Sequence, residues 1–143
     1  MTNENGTPGP PLTSPSIVLL TLARRVEVEL NAALASLDLT VGRLGLLGHI
    51  AGVPGASFSD LARMSGITVQ SVHTAVKGLA AAGLVRDNTA RAGAASAIEI
   101  TPDGARLLEA AKHAVTSVDN LLFGPDADPI QQQIAAAVAE IIA

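Results

Sequence analysis

Five side chains stand out in the stretch ITVQSVHTAVKGLAAAGLV, residues 67–85. Gln70, Ser71, His73, Thr74 and Lys77 share one side of a helix of 3.6-residue period. Val72, Ala75, Val76, Leu79 and Ala80 share the other. The polar side carries four neutral hydrogen-bonding groups and one cation. Such a face suits either a patterned polar partner or plain solvation. In a chain of net charge −4, the polyanion DNA is not the obvious partner.

Other chemistry is scarcer. The chain has no cysteine, which removes disulfides, thiol redox sensing and thiolate zinc sites. His49, His73 and His113 lack a metal-ligand spacing such as H-x-x-x-H, so no metal is expected. No Ser–His–Asp set, paired carboxylates or Gly-rich phosphate loop is recognisable; an enzyme is not expected, nor a cofactor. The only aromatic residues are Phe58 and Phe123. Single-stranded nucleic acids are gripped by stacking on aromatic rings, so that mode is not expected either. Ser57 to Thr101 holds four basic and three acidic residues, against five and ten elsewhere, making the middle the least acidic part.

These residues need elements to position them. The 143 residues suit a single domain, and 48% hydrophobic content favours folding. No apolar run approaches the roughly 18 residues of a membrane span. MTNENGTPGPPLTSPS lacks the basic start and apolar core of a signal peptide. Residues 1–15 therefore read as a flexible arm, and the protein as cytoplasmic. Apolar spacing predicts a helix from Ser16 to Leu37 and another over Thr40–Gly52. In the second, Gly42, Gly45 and Gly48 share a face that would permit close backbone approach. GVPGA breaks the chain. Ser57 and Asp60 have capping-box spacing for a short helix that stops at Gly66. Ile67 is expected to pack in the turn, Thr68 to cap the next helix, and Gly83 to end it.

Leu84–Arg86 and Ala97–Ile100 read as short strands around DNTARAGAAS, a small-residue hairpin tip. Thr101-Pro102-Asp103 opens a helix that would bury Leu107, Leu108, Ala111, Val115, Val118 and Leu122. Asp128-Pro129 opens the last, with Ile130, Ile134, Ala137, Val138 and Ile141 on one side. Chain ends normally fray. The first and last helices carry surplus apolar surface, which predicts packing against a second copy about a two-fold axis.

The order of these pieces is that of a winged helix-turn-helix, and FSDLARMSGITVQSVHTAVKGLAAAGLVRD followed by IEITPDGARLL resembles the MarR family of bacterial transcription regulators. The matching fragments are DLA, ITVQSV, LAAAGLV and ITPDG. The expected fold is mainly α with a small β-wing. Residues 39–101 form the winged helix-turn-helix, and 16–38 with 102–143 a helical dimerisation region. The resemblance implies a homodimer on a pseudo-palindromic operator of double-stranded DNA, usually as a repressor. A small aromatic or hydrophobic effector, bound between the dimerisation and DNA-binding parts, would release it. Carried over by position, Thr68, Gln70, Ser71, His73 and Thr74 would face the major groove. There Gln reads adenine, and Ser or Thr bonds bases or phosphate. Lys77 and Arg63 would touch phosphates, and Arg91 would serve the wing tip. Arg43 and His49 are candidates for the effector site, beside the plainer readings of a salt bridge and a buried hydrogen-bonded histidine.

The chain also departs from the family pattern. Thr74 stands where members often have Arg, and Arg86-Asp87 replaces the usual order after GLV. Ala92 and Ala94 fall where the wing's Asp-x-Arg signature belongs. Phosphate neutralisation supplies most non-specific affinity, so DNA binding is expected to be weak or strongly salt-dependent. The alternative is a dimer of the same fold that binds a ligand or a protein and has lost most DNA affinity.

Overall fold

The computed structural model describes residues 14–88 and 98–143. The arm expected over 1–15 and the hairpin tip with Arg91, Ala92 and Ala94 lie outside them, apart from Ser14 and Pro15. Six α-helices and a two-stranded sheet are described: α1 Pro15–Leu34, α2 Val41–Gly52, α3 Phe58–Ser65, α4 Val69–Ala81, β1 Val85–Asp87, β2 Ile98–Ile100, α5 Pro102–Phe123 and α6 Pro129–Ile142. The architecture is mainly α with a small β-wing, as the pattern predicts.

Five of the six helices start at a residue whose side chain accepts from a free N–H group of the first turn. Pro15 occupies the first turn of α1. That helix stops at Leu34, earlier than its apolar pattern suggests, and tightens into a 3₁₀ turn, Ala35–Leu37. Asp38 then takes a left-handed conformation (φ 54°), and the chain bends by 73° into α2. Thr40 caps α2 by accepting from the Arg43 N–H. Asn31 Oδ1 accepts from the Val41 N–H at 2.8 Å, tying α1 to the start of α2.

Ser57 and Asp60 form a complete capping box on α3, with both bonds at 3.0 Å. Gly66 closes that helix at φ 67°, a left-handed conformation natural to glycine, and Thr68 caps α4. The turn leaves Ile67 43% exposed, not packed. Its N–H is instead spent on the Ala62 carbonyl at 3.1 Å, closing the end of α3.

The wing pairs antiparallel as Val85↔Ile100, Arg86↔Glu99 and Asp87↔Ile98. β1 begins and ends one residue later than the sequence pattern suggests, and Ala97, expected to open the second strand, lies outside the described residues. Thr101 fastens the wing to α5. Its hydroxyl donates to the Gly83 carbonyl (2.6 Å) and accepts from the Gly104 N–H (3.1 Å). A Cβ at Gly104 would sit 2.2 Å from the Leu84 carbonyl oxygen, so only glycine admits this close approach. The threonine and glycine of ITPDG thus have separate physical jobs at one joint.

The main core joins Leu46, Leu47 and Ile50 of α2, Leu61 of α3, Val72, Val76 and Leu79 of α4, Val85 and Ile98. A smaller cluster of Leu34, Leu39 and Ala111 anchors α1 and α5 beside it. The glycines of α2 do not mediate the close approach expected of them. A Cβ at Gly45 or Gly48 would meet nothing within 4 Å, because that face borders open space. Among the described residues no single helix is long and apolar enough to cross a membrane.

Candidate nucleic-acid interface

The core dictates how α4 sits. Val72, Val76 and Leu79 are fully buried, which turns Gln70, Ser71, His73, Thr74 and Lys77 outward. Local hydrogen bonds restrict these groups. The Thr68 hydroxyl accepts from the Ser71 N–H (3.0 Å) and lies 2.8 Å from the Ser71 hydroxyl. The Thr74 hydroxyl donates to the Gln70 carbonyl (3.2 Å), leaving its lone pairs to face outward. Among the described residues the Gln70 side-chain amide, at the first turn, has no hydrogen-bond partner.

The cations divide into engaged and free. Arg63 is hydrogen-bonded to Asp60 one turn earlier on α3. Hydrogen bonds from Ser57, backbone first and then side chain, hold the Asp60 carboxyl below the ordinary carboxylate range, and Arg63 adds to this. Arg86 faces Glu99 across the wing at 4.0 Å. Lys77 has no ion pair among the described residues. Exposed pairs such as these are worth little and can be exchanged for phosphate.

One contact escaped the sequence reading. The His73 imidazole stacks on the Phe58 ring, with centroids 3.9 Å apart and planes 15° from parallel. Phe58 is the first residue of α3, partly buried, and also packs against the main core. The two residues lie far apart in sequence, on separate helices, and no local period connects them. The scarcity of aromatic residues was the one available signal.

Two cavities lie elsewhere among the described residues. One, of about 710 Å³, lies between α2, β2 and α5. Its wall includes Leu44, Gly48, Ala51, Ile100, Leu108 and Lys112. Lys112 donates to Glu109 (2.7 Å) and thereby holds the Glu109 carboxyl below its ordinary range. Gly48, Ala51 and Gly52 of α2 border this space, so the vacancy beside Gly48 is part of it. Arg43 and His49 are half-buried on the same helix but are not part of the wall. The other cavity, of about 560 Å³, is a groove between α1, the end of α5, and α6, lined by Leu22, Val26, Leu122, Ile134 and Val138 among others. No three His, Asp or Glu side chains converge on a common point among the described residues.

Comparison with known proteins agrees with this geometry. The family model described as "MarR family" matches residues 37–93. No curated protein matches. Among solved structures, a MarR family protein of Mycobacterium tuberculosis in complex with DNA superposes with a TM-score of 0.74 at 23% identity, covering 92% of this chain and 100% of that one. The same protein in complex with p-aminosalicylic acid gives 0.72 at 23% identity, over 92% and 100%. CouR from Rhodococcus jostii RHA1, bound to p-coumaroyl-CoA, gives 0.71 at 21% identity, over 90% and 92%. At these identities the likeness establishes the fold.

Proposed function

We propose that this chain, a winged helix-turn-helix protein of the MarR family, is a homodimeric transcription regulator that binds a pseudo-palindromic operator in double-stranded DNA. The observation that carries this reading is the face of α4. A capped helix is pinned by a fully buried aliphatic stripe and turns five polar side chains outward together. In this arrangement Gln70, Ser71, His73 and Thr74 read base edges in the major groove, and Thr68 lies at the entry to the groove. Lys77, Arg63 and the wing's Arg91 neutralise phosphates.

The dimer is supported by α1 and α6. Leu19, Leu20, Ile130, Ile141 and Ile142 are all more than half exposed, and the groove between these helices is apolar. A second copy would cover them and set two α4 helices about one DNA turn apart. The cavity between α2, β2 and α5 lies where the wing meets the long helix α5, so a ligand there would couple to wing position. Relatives bound to p-aminosalicylic acid and p-coumaroyl-CoA favour a small aromatic effector. Repression relieved by that effector is the mode we assign, in the bacterial cytoplasm where operator DNA resides.

Titration of the duplex flanking the chain's own gene by fluorescence anisotropy, at low and moderate salt with competitor DNA, tests the reading. Binding that survives competitor supports it. Lys77→Ala should weaken binding to every sequence and reduce the salt slope by about 0.9. Gln70→Ala should relax base preference at one position. Arg43 and His49, set apart from the cavity wall, are expected to affect effector binding less than Lys112.

A second reading rests on the ion pairs. Arg63 and Arg86 are each engaged with a carboxylate, and among the described residues Lys77 has no ion pair. That favours a dimer of the same fold that responds to a ligand and has weak DNA affinity. No duplex would then survive competitor, while a small hydrophobic ligand would raise the melting temperature.

A further inference from the structure

We propose that Phe58 is a positioning residue for base discrimination, holding the His73 imidazole in a fixed plane so that it reads a purine. This rests on the DNA-binding reading above and deepens it at one residue pair. The stack has centroids 3.9 Å apart and an interplanar angle of 15°. One face of the imidazole is covered. His73 is otherwise exposed on the outer side of α4, so its ring nitrogens remain available to a partner. Rotating the ring about its last torsion would break the stack, so the N–H donor is confined to one plane. A histidine without this support would sample several orientations and surrender rotamer entropy on binding.

The support is itself rigid. Phe58 begins α3 directly after the capping-box serine, and it packs against the main core. One of only two phenylalanines in a chain without tyrosine or tryptophan is used here. A fixed N–H donor in the major groove meets its acceptors at purine N7, and on guanine at O6 as well. Pyrimidines offer either a donor or a single displaced acceptor. The preferred base opposite His73 is therefore a purine, with guanine first.

The experiment uses the full-length protein and a duplex that the wild type selects from a randomised pool. Affinities for that duplex and for a scrambled one are measured by anisotropy for wild type, Phe58→Leu, Phe58→Tyr, His73→Ala and the Phe58→Leu/His73→Ala double variant. His73→Ala is expected to lower the selected-to-scrambled ratio about tenfold, with the purine preference lost at one position. Phe58→Leu is expected to lower it about threefold to tenfold at the same position, and the double variant to fall no further than His73→Ala. Phe58→Tyr, which keeps the ring, should retain the ratio. Affinity for scrambled DNA and its salt slope should stay put in every variant, which a general loss of packing would not allow.

The stack also has a readout without DNA. The His73 ring protons should resonate upfield by NMR and shift back in Phe58→Leu. A wild-type ratio in Phe58→Leu, or additive losses in the double variant, overturns this proposal alone. A wild type that enriches no duplex from the pool overturns the DNA-binding reading and this one with it.

Discussion

Helices α4 and α6 have 13 and 14 residues and each carries an aliphatic stripe, yet they lead opposite lives. In α4 the residues Val72, Val76 and Leu79 are at most 1% exposed. In α6 no residue is buried, and Ile141 and Ile142 are 80% exposed. Periodicity is the same signal in both. What differs is whether the chain itself supplies the complementary surface. Helix α4 finds α2, α3 and the wing. Among the described residues, helix α6 is held chiefly by the end of α5 and the loop after it, where Gln131 donates to the Leu122 carbonyl and Gln132 to carbonyls of Gly124, Pro125 and Ala127. A stripe of apolar residues therefore specifies that a helix will be covered, and leaves open by what.

The sharpest way to break this comparison is to truncate both stripes. Leu79→Ala should cost about 2–5 kcal/mol of folding stability, since it opens a cavity in a closed core. The loss should be independent of protein concentration. Ile141→Ala removes a side chain that is already exposed within the chain, so its whole effect should come through the second copy proposed to cover it. Its melting temperature should fall mainly on dilution, because dimer stability depends on concentration. Calorimetry over a range of concentrations separates the two. If Ile141→Ala behaved like Leu79→Ala, α6 would have to pack within its own chain.

A smaller effect tests the joint that holds the wing between these regions. Gly104→Ala would push a methyl group into the Leu84 carbonyl and the Ile100 side chain, 2.2 and 2.8 Å away. It should cost about 1–3 kcal/mol and displace the wing from α5. Gly48→Ala in the open face of α2 should be neutral or slightly stabilising, by up to about 1 kcal/mol, because it meets no atom and improves helix propensity. Chemical denaturation of both variants gives the comparison directly. A destabilised Gly48→Ala would mean that the glycine face is occupied in the native assembly.

What the sequence made legible follows the same division. Caps, stops and the stripe of α4 are local devices, and Ser57, Thr68, Thr101 and Gly83 announce them by type and position. The ITPDG fragment was legible as a helix start. Its glycine's role was not, since the approach to Leu84 depends on where the preceding strand runs. The glycines of α2 misled for the converse reason: their spacing matched a packing motif, but no partner backbone comes near. The Phe58–His73 stack needed the crossing of α3 over α4, which no residue spacing encodes. Arg63, Gln70, Ser71, Thr74 and Lys77 could be placed on a surface from periodicity alone. Which of them carry free hydrogen-bonding capacity depended on Asp60 and on backbone carbonyls that only the fold brings into reach.

The smallest expected effect lies at the junction of scaffold and reading face. Asp60 closes the capping box of α3 and also holds Arg63, so it tests whether the frame around α4 is set by local charge. Its carboxyl is held below the usual value of 3.8, chiefly by hydrogen bonds from Ser57. The folded state thus favours the carboxylate more than the unfolded chain does. The associated stability is complete above the unfolded value and is lost as pH falls through the lower, folded one. Asp60→Asn keeps an acceptor for the Ser57 N–H but carries no charge. Its melting temperature should lie slightly below wild type at neutral pH, and the gap should close on acidification below about pH 4. Circular dichroism melts across that range measure it. A gap that is constant with pH would assign Asp60's contribution to hydrogen-bond geometry, and Arg63 would then be free for phosphate at no electrostatic cost to α3.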